Sequence, residues 1–460
     1  MMRHMTPNIK AKIQLTLWSV SFLAALLLPF HQTQAQSKGL SIIRDTEIEN
    51  IFAEWSKPLL QASNIGENNV NIVLVQSDQI NAFVAGGANI FFYTGLITKS
   101  ESPGEVIGVM AHEMGHIAGG HLISTRLAYE RASYESILGA VLGIGVAVLT
   151  GEGGAASAII GGSQNIAGRR FLAHSRVNES SADQAAYKYM DEAGMNPSGL
   201  SSFLEKLSGQ ELLPASQQSE YVRTHPLTVK RIEAVDTLIA KSPYKDKPLP
   251  QRWIRQHAMI KAKLEGFTNP ERVGSLYPDS DTSIPAQYAR AIAAYRLNDI
   301  PTALRRIDAL IETEQNNPYY LELKGQMLVD FGRVREAIPY YQQSVQLLPD
   351  AALIRIALAH ALMESSEGQD VLQEAIEHLD RAVIKEPNST RVHRLLATAH
   401  GRLGHESLAK LHLAEEAVLQ RRLPYARAQA EAALSGFDTG SREWIKAKDI
   451  LNHINNLEQL

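Results

Sequence analysis

Hydrophobic positions recur at helical spacing over most of the chain, and only a short region alternates as strands do. Residues 40–63 have apolar side chains at helical intervals and predict a helix. Three short segments predict β-strands: residues 70–75, 81–85 and 89–94. Gly86-Gly87 separates the last two and indicates a tight hairpin turn. We therefore expect a mainly α protein with a small β-sheet in its first third.

The segment from Glu105 to Ala118 is apolar on nearly every side, which predicts a buried helix. Ser102 and Glu105 have the spacing of a capping box, so the helix should begin there. The helix directly follows the hairpin, which places a strand beside it. An edge strand in that place can pair with the backbone of an extended substrate.

Residues 112–116 form an H-E-x-x-H pattern inside this helix. Positions i and i+4 share one helix face, so His112 and His116 can both bind one Zn²⁺. Glu113 lies beside them and can act as the general base on the attacking water. The alternative is a solvated pair of surface histidines, but the apolar flanks disfavour it because buried polar groups need partners. The pattern predicts a peptidase with one zinc per chain.

Composition narrows the class of protein further. The chain has 460 residues, a formal charge of −4 and no cysteine. This charge argues against nucleic acid as the main partner. Without cysteine, zinc can be bound only by histidine and carboxylate, which is the ligand composition of a catalytic site.

The first residues have the pattern of an export signal. Basic residues precede a mostly apolar stretch at 13–28, and Ala35 offers a small-residue cleavage site. An uncleaved membrane anchor is the alternative, but the stretch is shorter than the roughly 20 residues that a span needs. We expect a signal peptide at 1–35 and a periplasmic mature chain.

Changes in composition and residue pattern along the chain predict the domain organisation. Residues 36–242 would form the peptidase domain, and the proline-rich residues 243–285 a linker with one helix at 251–264. Residues 286–460 would form an all-α domain of tetratricopeptide repeats, a solenoid of helix pairs.

Recurrent alanines support the repeats. Ala303, Ala337, Ala375 and Ala409 follow one another at intervals of about 34 to 38 residues. The alternative is an irregular helical bundle. A repeat solenoid presents a concave surface that suits a protein partner.

Residues 137–162 are apolar and rich in glycine. The apolar run at 137–149 is too short to span a bilayer. A buried or interfacial helix pair over the active site is one interpretation, and a lid in peripheral contact with a membrane is the other.

A catalytic zinc site needs a third protein ligand. Glu179 and Asp183 are spaced i, i+4 on a second predicted helix, 179–193, so one could bind the metal while the other orients a histidine. The competing carboxylates are Glu130, Glu135 and Asp191. Local reasoning alone leaves these alternatives open.

H-E-x-x-H followed roughly sixty residues later by N-E-x-x-A-D at 178–183 resembles the M48 family of metallopeptidases. The resemblance includes Asn-Ala-Phe at 81–83 and Tyr-Thr-Gly-Leu at 93–96, and it extends over about 40–240. It implies zinc ligation by His112, His116 and Glu179, with Glu113 as the catalytic base and Asp183 as the residue that orients a ligand.

The same resemblance gives a role to Thr224-His225-Pro226. In the exported branch of the family, a histidine in such a motif can take the fourth zinc position and keep the enzyme latent. By itself, His225 would be an ordinary residue of a surface loop. Arg231 could meet a substrate carbonyl or a carboxylate, whereas His121 and His174 suggest no role.

The family branch also implies a cellular task. Its exported members with C-terminal repeats act on unfolded or misassembled outer-membrane proteins, together with the machinery that assembles β-barrels. A chaperone or assembly scaffold with a latent or structural zinc site is the rival function, and both activities can coexist. An integral membrane protease would need spans that the sequence lacks.

Overall fold

The computed structural model describes residues 41–66, 69–121, 175–214, 216–365 and 368–458. Several predicted features lie outside these ranges: the signal peptide at 1–35, the glycine-rich segment at 137–162, Glu130, Glu135 and His174. Among the described residues, no helix has the length and the apolar character that crossing a membrane requires.

The sheet has four short strands in the order β1-β2-β4-β3. Their bounds are β1 Ile42–Ile43, β2 Asn71–Val75, β3 Ala82–Ala85 and β4 Asn89–Tyr93. β3 pairs antiparallel with β4 as the predicted hairpin, and β2 pairs parallel with β4. β3 therefore forms one edge of this sheet.

The helix predicted over 40–63 is wrong at its start. Ile42 and Ile43 form β1 and pair antiparallel with β2. The helix α1 spans Thr46–Ser63, because the side chain of Asp45 accepts a hydrogen bond from the backbone N–H of Ile48 and caps it. Two adjacent isoleucines fit either structure, so their spacing alone does not place the boundary.

Among the described residues, the first domain has six further helices. They are α2 Thr94–Lys99, α3 Pro103–Ala118, α4 at 175–192, α5 Ser198–Ser208, α6 Glu220–Thr224 and α7 Val229–Ile239, with a 3-10 turn at Gly209–Leu212. Their core includes Trp55, Phe92, Ile107 and Met110, all fully buried. The second helix, predicted over 179–193, therefore also includes residues 175–178.

Gly115 lets α3 and α4 approach each other closely. A Cβ at this position would lie 2.8 Å from the carbonyl oxygen of Ala182. Any side chain would therefore push the two helices apart. This contact lies between the H-E-x-x-H residues of α3 and the acidic residues of α4.

The segment predicted as a linker contains more structure than the one helix expected. Helix α8 spans Gln251–Thr268, and a 3-10 turn Pro270–Arg272 and a short helix α9 Val273–Leu276 follow it. Ile260 and Leu264 of α8 pack in the core of the first domain, whereas Met259 packs against the first repeat helices. α8 is therefore buried on two sides, which its proline-rich flanks did not indicate.

Helix pairs make up the rest of the chain, as predicted. They are α10 Ile284–Arg296 with α11 Ile300–Thr313, α12 Pro318–Asp330 with α13 Val334–Leu347, α14 Ala352–Ser365 with α15 Gln369–Lys385, α16 Thr390–Arg402 with α17 Glu406–Leu419, and α18 Leu423–Leu434 with α19 Arg442–Glu458. The alanines Ala303, Ala337 and Ala375 are fully buried in the second helix of a pair, and Ala409 is half-buried. The mainly α class with a small sheet is confirmed.

Candidate metal centre

Helix α3 presents the H-E-x-x-H side chains to the interior. Its first turn is capped by Ser102, whose side chain accepts a hydrogen bond from the N–H of Glu105. His112 and Glu113 are fully buried, and the Nε2 atoms of His112 and His116 lie 3.0 Å apart. Both imidazoles therefore face the same point, one turn apart on the helix.

Glu179 of α4 completes a three-residue cluster. Its Oε2 lies 3.4 Å from His112 Nε2, and its Oε1 lies 3.4 Å from His116 Nε2. The Nδ1 atom of His225 approaches the same point, 3.1 Å from Glu179 Oε2 and 3.4 Å from His112 Nε2. One ligand atom from each of the four residues lies within 4.8 Å of the other three.

The donor atoms fit a zinc ion. A tetrahedral Zn²⁺ bound at about 2.0–2.1 Å holds its ligand atoms about 3.3 Å apart. His112 lies 3.0 to 3.4 Å from His116, Glu179 and His225, and the oxygens of Glu179 lie 3.1 to 3.4 Å from the three imidazoles. Three imidazoles and one carboxylate are also ligands that zinc accepts.

Asp183 fixes the orientation of His112. The Nδ1–H of His112 donates to Asp183 Oδ1 at 2.9 Å, which leaves Nε2 of the ring facing the cluster. Arg231 is buried behind both carboxylates. Its Nη2 donates to Asp183 Oδ1 at 2.9 Å, and its Nη1 lies 2.9 Å from Glu179 Oε2. Arg231 thus pairs with a carboxylate, one of the two roles that the sequence suggested.

These contacts shift the titration of the cluster. Burial favours the neutral form of His112, but its hydrogen bonds to Asp183 and Glu179 outweigh burial and raise its pKa to about 9. Burial lowers the pKa of His116. Burial would also raise the pKa of Glu179, yet the charge of His225 and the imidazole hydrogen bonds hold it well below its usual range. The ligand carboxylate is therefore ionised at neutral pH.

Glu113 differs from the other buried carboxylates. Both of its side-chain oxygens are buried and make no hydrogen bond within the described residues. Among the described residues, the nearest imidazole nitrogen is His225 Nε2, 3.6 Å from Oε1. A buried carboxylate without a partner is costly, so its retention beside the cluster is consistent with a role in proton transfer.

His225 follows α6 and is held against the edge strand. Its Nε2–H donates to the carbonyl oxygen of Ala82 at 3.2 Å, and its ring stacks on that of Tyr221 at 4.6 Å. The N–H of Tyr221 donates to the carbonyl of Ile80 at 3.1 Å. The side chains of Asn81 and Glu220 are also hydrogen-bonded, at 3.3 Å. The segment that carries His225 therefore occupies the beginning of β3.

Sequence reasoning missed the position of His121. Its Nδ1 lies 3.0 Å from His116 Nδ1, so it can orient the second ligand histidine. Gly120, at φ +60°, turns the chain back towards α3, and a Cβ on Gly119 would collide with the His121 ring. The Gly119-Gly120-His121 sequence at the helix end was the available signal. The competing carboxylate Asp191 lies apart from the cluster and accepts a hydrogen bond from Ser242.

Comparisons with known proteins agree with this architecture. Residues 43–239 match peptidase family M48, and residues 328–399 match the tetratricopeptide repeat. The beta-barrel assembly-enhancing protease of Escherichia coli (strain K12) is 24% identical over 429 residues, which cover 91% of this chain and 85% of that one. The protein of the same name from Yersinia pestis is 23% identical over the same shares. Metalloprotease LoiP of Escherichia coli (strain K12) is 28% identical over 194 residues, 40% of this chain and 70% of that one.

Proposed function

Because this chain carries a peptidase family M48 domain followed by tetratricopeptide repeats and is a metalloprotease, we propose that it is an exported zinc endopeptidase of outer-membrane β-barrel assembly and quality control. The observation that carries the proposal is the convergence of His112, His116 and Glu179 beside Glu113, whose carboxylate has no hydrogen-bond partner among the described residues. This is the arrangement that hydrolysis of a peptide bond requires.

His112, His116 and Glu179 would hold the zinc ion. When bound, the ion supplies a Lewis acid that polarises the scissile carbonyl and acidifies a water molecule. Glu113 takes the proton of the attacking water and returns it to the leaving amine. Asp183 holds the ring of His112 in the tautomer that presents Nε2, and Arg231 keeps Asp183 ionised and also pairs with Glu179.

The substrate would bind as an added strand. β3 is the edge strand nearest α3, so its backbone can pair with an extended peptide and hold the scissile bond over Glu113. Incompletely folded β-barrels expose unpaired strands, which suit such an edge. We therefore place unfolded or misassembled outer-membrane proteins among the substrates.

The proposed location and partners are supported by the relatives together with the sequence. The names of several relatives refer to β-barrel assembly, and the predicted signal peptide at 1–35 would export this chain to the periplasm. The helix pairs of the repeat domain would bind the barrel assembly machinery through their concave surface.

His225 would keep the enzyme latent. Its Nδ1 lies 3.1 Å from Glu179 Oε2, close enough to bind the same zinc ion. Its Nε2–H donates to the carbonyl of Ala82 on the edge strand. The imidazole would thus compete with the water at the metal and with the substrate at β3. Release of the segment at 220–225 would free both positions together.

The contacts of His225 at the zinc cluster are also compatible with a second function, that of a chaperone or scaffold. A protein whose His225 stays in place would act as a chaperone or assembly scaffold through its repeats, with a zinc site that remains latent. Glu113 distinguishes the two functions, since scaffolding has no use for a buried general base.

The test is digestion of an unfolded outer-membrane β-barrel protein by the wild type and by Glu113→Gln, with zinc content measured by mass spectrometry. We expect the wild type to cleave and Glu113→Gln to lose at least 100-fold in rate, as general-base catalysis is worth about 10²–10⁴-fold, with zinc retained. Glu101→Gln is the matched control, because Glu101 lies just before α3 with an exposed side chain. If Glu113→Gln cleaves as fast as Glu101→Gln, the proposed peptidase mechanism is refuted.

A further inference from the structure

A second cluster of possible metal ligands lies in the repeat domain, on the facing helices α16 and α17. His393 comes from the first turn of α16, and His412 and Glu415 are spaced i, i+3 on α17, which puts them on one face. His393 and His412 are buried, and the side chain of Glu415 is only 14% exposed. The M48 chemistry involves none of these residues.

Three nitrogen and oxygen atoms converge within the cluster. Oε2 of Glu415 lies 2.8 Å from His393 Nδ1 and 3.1 Å from His412 Nδ1, and the two Nδ1 atoms lie 3.4 Å apart. The ligand atoms of a tetrahedral zinc ion lie about 3.3 Å apart. The spacing also resembles that of His112, His116 and Glu179 in the peptidase domain.

The surroundings orient two of the three side chains for a cation. The Nε2–H of His393 donates to the carbonyl of Pro387 at 3.0 Å, so the neutral ring directs its Nδ1 lone pair into the cluster. Lys446 of α19 lies 2.6 Å from Oε1 of Glu415, which leaves Oε2 for the cluster. Acceptor atoms that face one another repel unless a proton or a cation lies between them.

We propose that His393, His412 and Glu415 form a second zinc site, which clamps α16 to α17. Two imidazoles and a carboxylate suit a divalent transition ion, and zinc is the one that prefers a tetrahedral arrangement of these ligands. Three protein ligands leave one position for water. Lys446 is 45% exposed, so it can turn to solvent as the ion binds. The site ties the stability of the last repeats to zinc.

The number of zinc ions per full-length chain tests this proposal. The protein is dialysed against buffered zinc, and metal is counted by mass spectrometry. We expect two ions per wild-type chain and one in His112→Ala/His116→Ala, which leaves the repeat cluster untouched. His412→Gln should lower the zinc affinity of the repeat site by more than about 100-fold, since even changes behind the ligands cost 10–100-fold. Combining all three changes should remove all zinc.

The matched control is His360→Gln, because His360 forms a histidine–carboxylate pair with Glu364 in the same domain. It should keep both ions. Cobalt substitution of His112→Ala/His116→Ala should give the visible absorption of a tetrahedral site, a signature that does not depend on activity. The proposal would be overturned if His112→Ala/His116→Ala bound no zinc. It would also be overturned if His412→Gln kept the wild-type zinc affinity at the repeat site. Neither result tests the peptidase centre. Its zinc is measured separately, in chains whose His112, His116 and Glu179 are unchanged.

Discussion

The imidazole of His225 lies between two groups, with Nδ1 3.1 Å from Glu179 Oε2 and Nε2 3.2 Å from the carbonyl oxygen of Ala82. One ring therefore contacts both a predicted zinc ligand and the edge strand. A substrate strand that pairs with β3 needs the Ala82 carbonyl, so its binding and the departure of His225 are coupled. For the proposed latch, this geometry makes substrate competition the simplest way to displace His225.

The first prediction is that His225→Ala increases proteolysis. Removing the ring frees the fourth ligand position and the Ala82 carbonyl, and the loss of one contact worth about 1.4 kcal/mol corresponds to a tenfold rate increase. Zinc content should not change, because His112, His116 and Glu179 remain. The measurement is the initial rate of cleavage of an unfolded β-barrel protein, with zinc counted on the same samples.

A second variant tests the same latch without changing a ligand. Glu220→Ala removes the carboxylate that accepts a hydrogen bond from Asn81, which holds the segment against β3. It should increase the rate by less than His225→Ala does. His360→Ala is the control and should cleave at the wild-type rate. If His225→Ala keeps its zinc and cleaves no faster than the wild type, the latch is excluded.

Asp183→Asn should weaken zinc binding without abolishing it. The amide keeps the shape of the side chain but loses the charge that holds the Nδ1–H of His112 and neutralises Arg231. Changes of this kind behind a ligand cost about 10–100-fold in metal affinity. Competition with a chromophoric chelator measures the affinity. Asp191→Asn, on the same helix but outside the cluster, should bind zinc as the wild type does.

The local part of the site could be predicted, and the rest needed tertiary information. His112 and His116 share a face by helix geometry alone, so their convergence follows from the sequence. Glu179 had several rivals on local grounds, because its contact with His112 depends on how α4 packs across Gly115. The resemblance to a family, not the physics of the segment, selected it.

The fold shows the same division. The hairpin of β3 and β4 was predictable because its turn glycines are local signals, whereas β1 was predicted as helix. Its pairing with β2 is a long-range contact, which periodicity does not detect. The burial of α8 was missed for the same reason, since both cores that it joins lie far away in sequence.

A third prediction concerns the buried lysine of α8. Lys263 lies 2.7 Å from Asp45 Oδ2 and 3.1 Å from Glu47 Oε2, and Glu47 also accepts from the hydroxyl of Tyr288 at 3.0 Å. Lys263→Met would leave the buried carboxylate of Glu47 and the partly buried carboxylate of Asp45 without this cation. Breaking a buried pair in this way costs about 3–5 kcal/mol. Urea denaturation should show this loss, and Lys57→Met, an exposed lysine on α1, should show none.

The last prediction is a pH dependence of stability caused by His257. This ring is buried on α8, and its Nε2 lies 2.7 Å from the hydroxyl oxygen of Ser100. Burial, together with the positive charges of Lys261 and Lys206, lowers its pKa from 6.5 to about 3. Because the unfolded chain binds the proton more readily, His257 contributes stability above pH 6.5 that is lost as the pH falls towards 3.

Between pH 7 and pH 5 this one group should reduce the free energy of unfolding by about 2 kcal/mol. His257→Gln keeps a donor for Ser100 but cannot be protonated, so its stability should fall by that much less over the same interval. Urea denaturation of both proteins at the two pH values measures the difference. Parallel losses in wild type and variant would mean that His257 is protonated equally in the folded and unfolded chains. Since Nε2–H donates to Ser100, that result would require Nδ1 of the buried ring to take up the proton without unfolding.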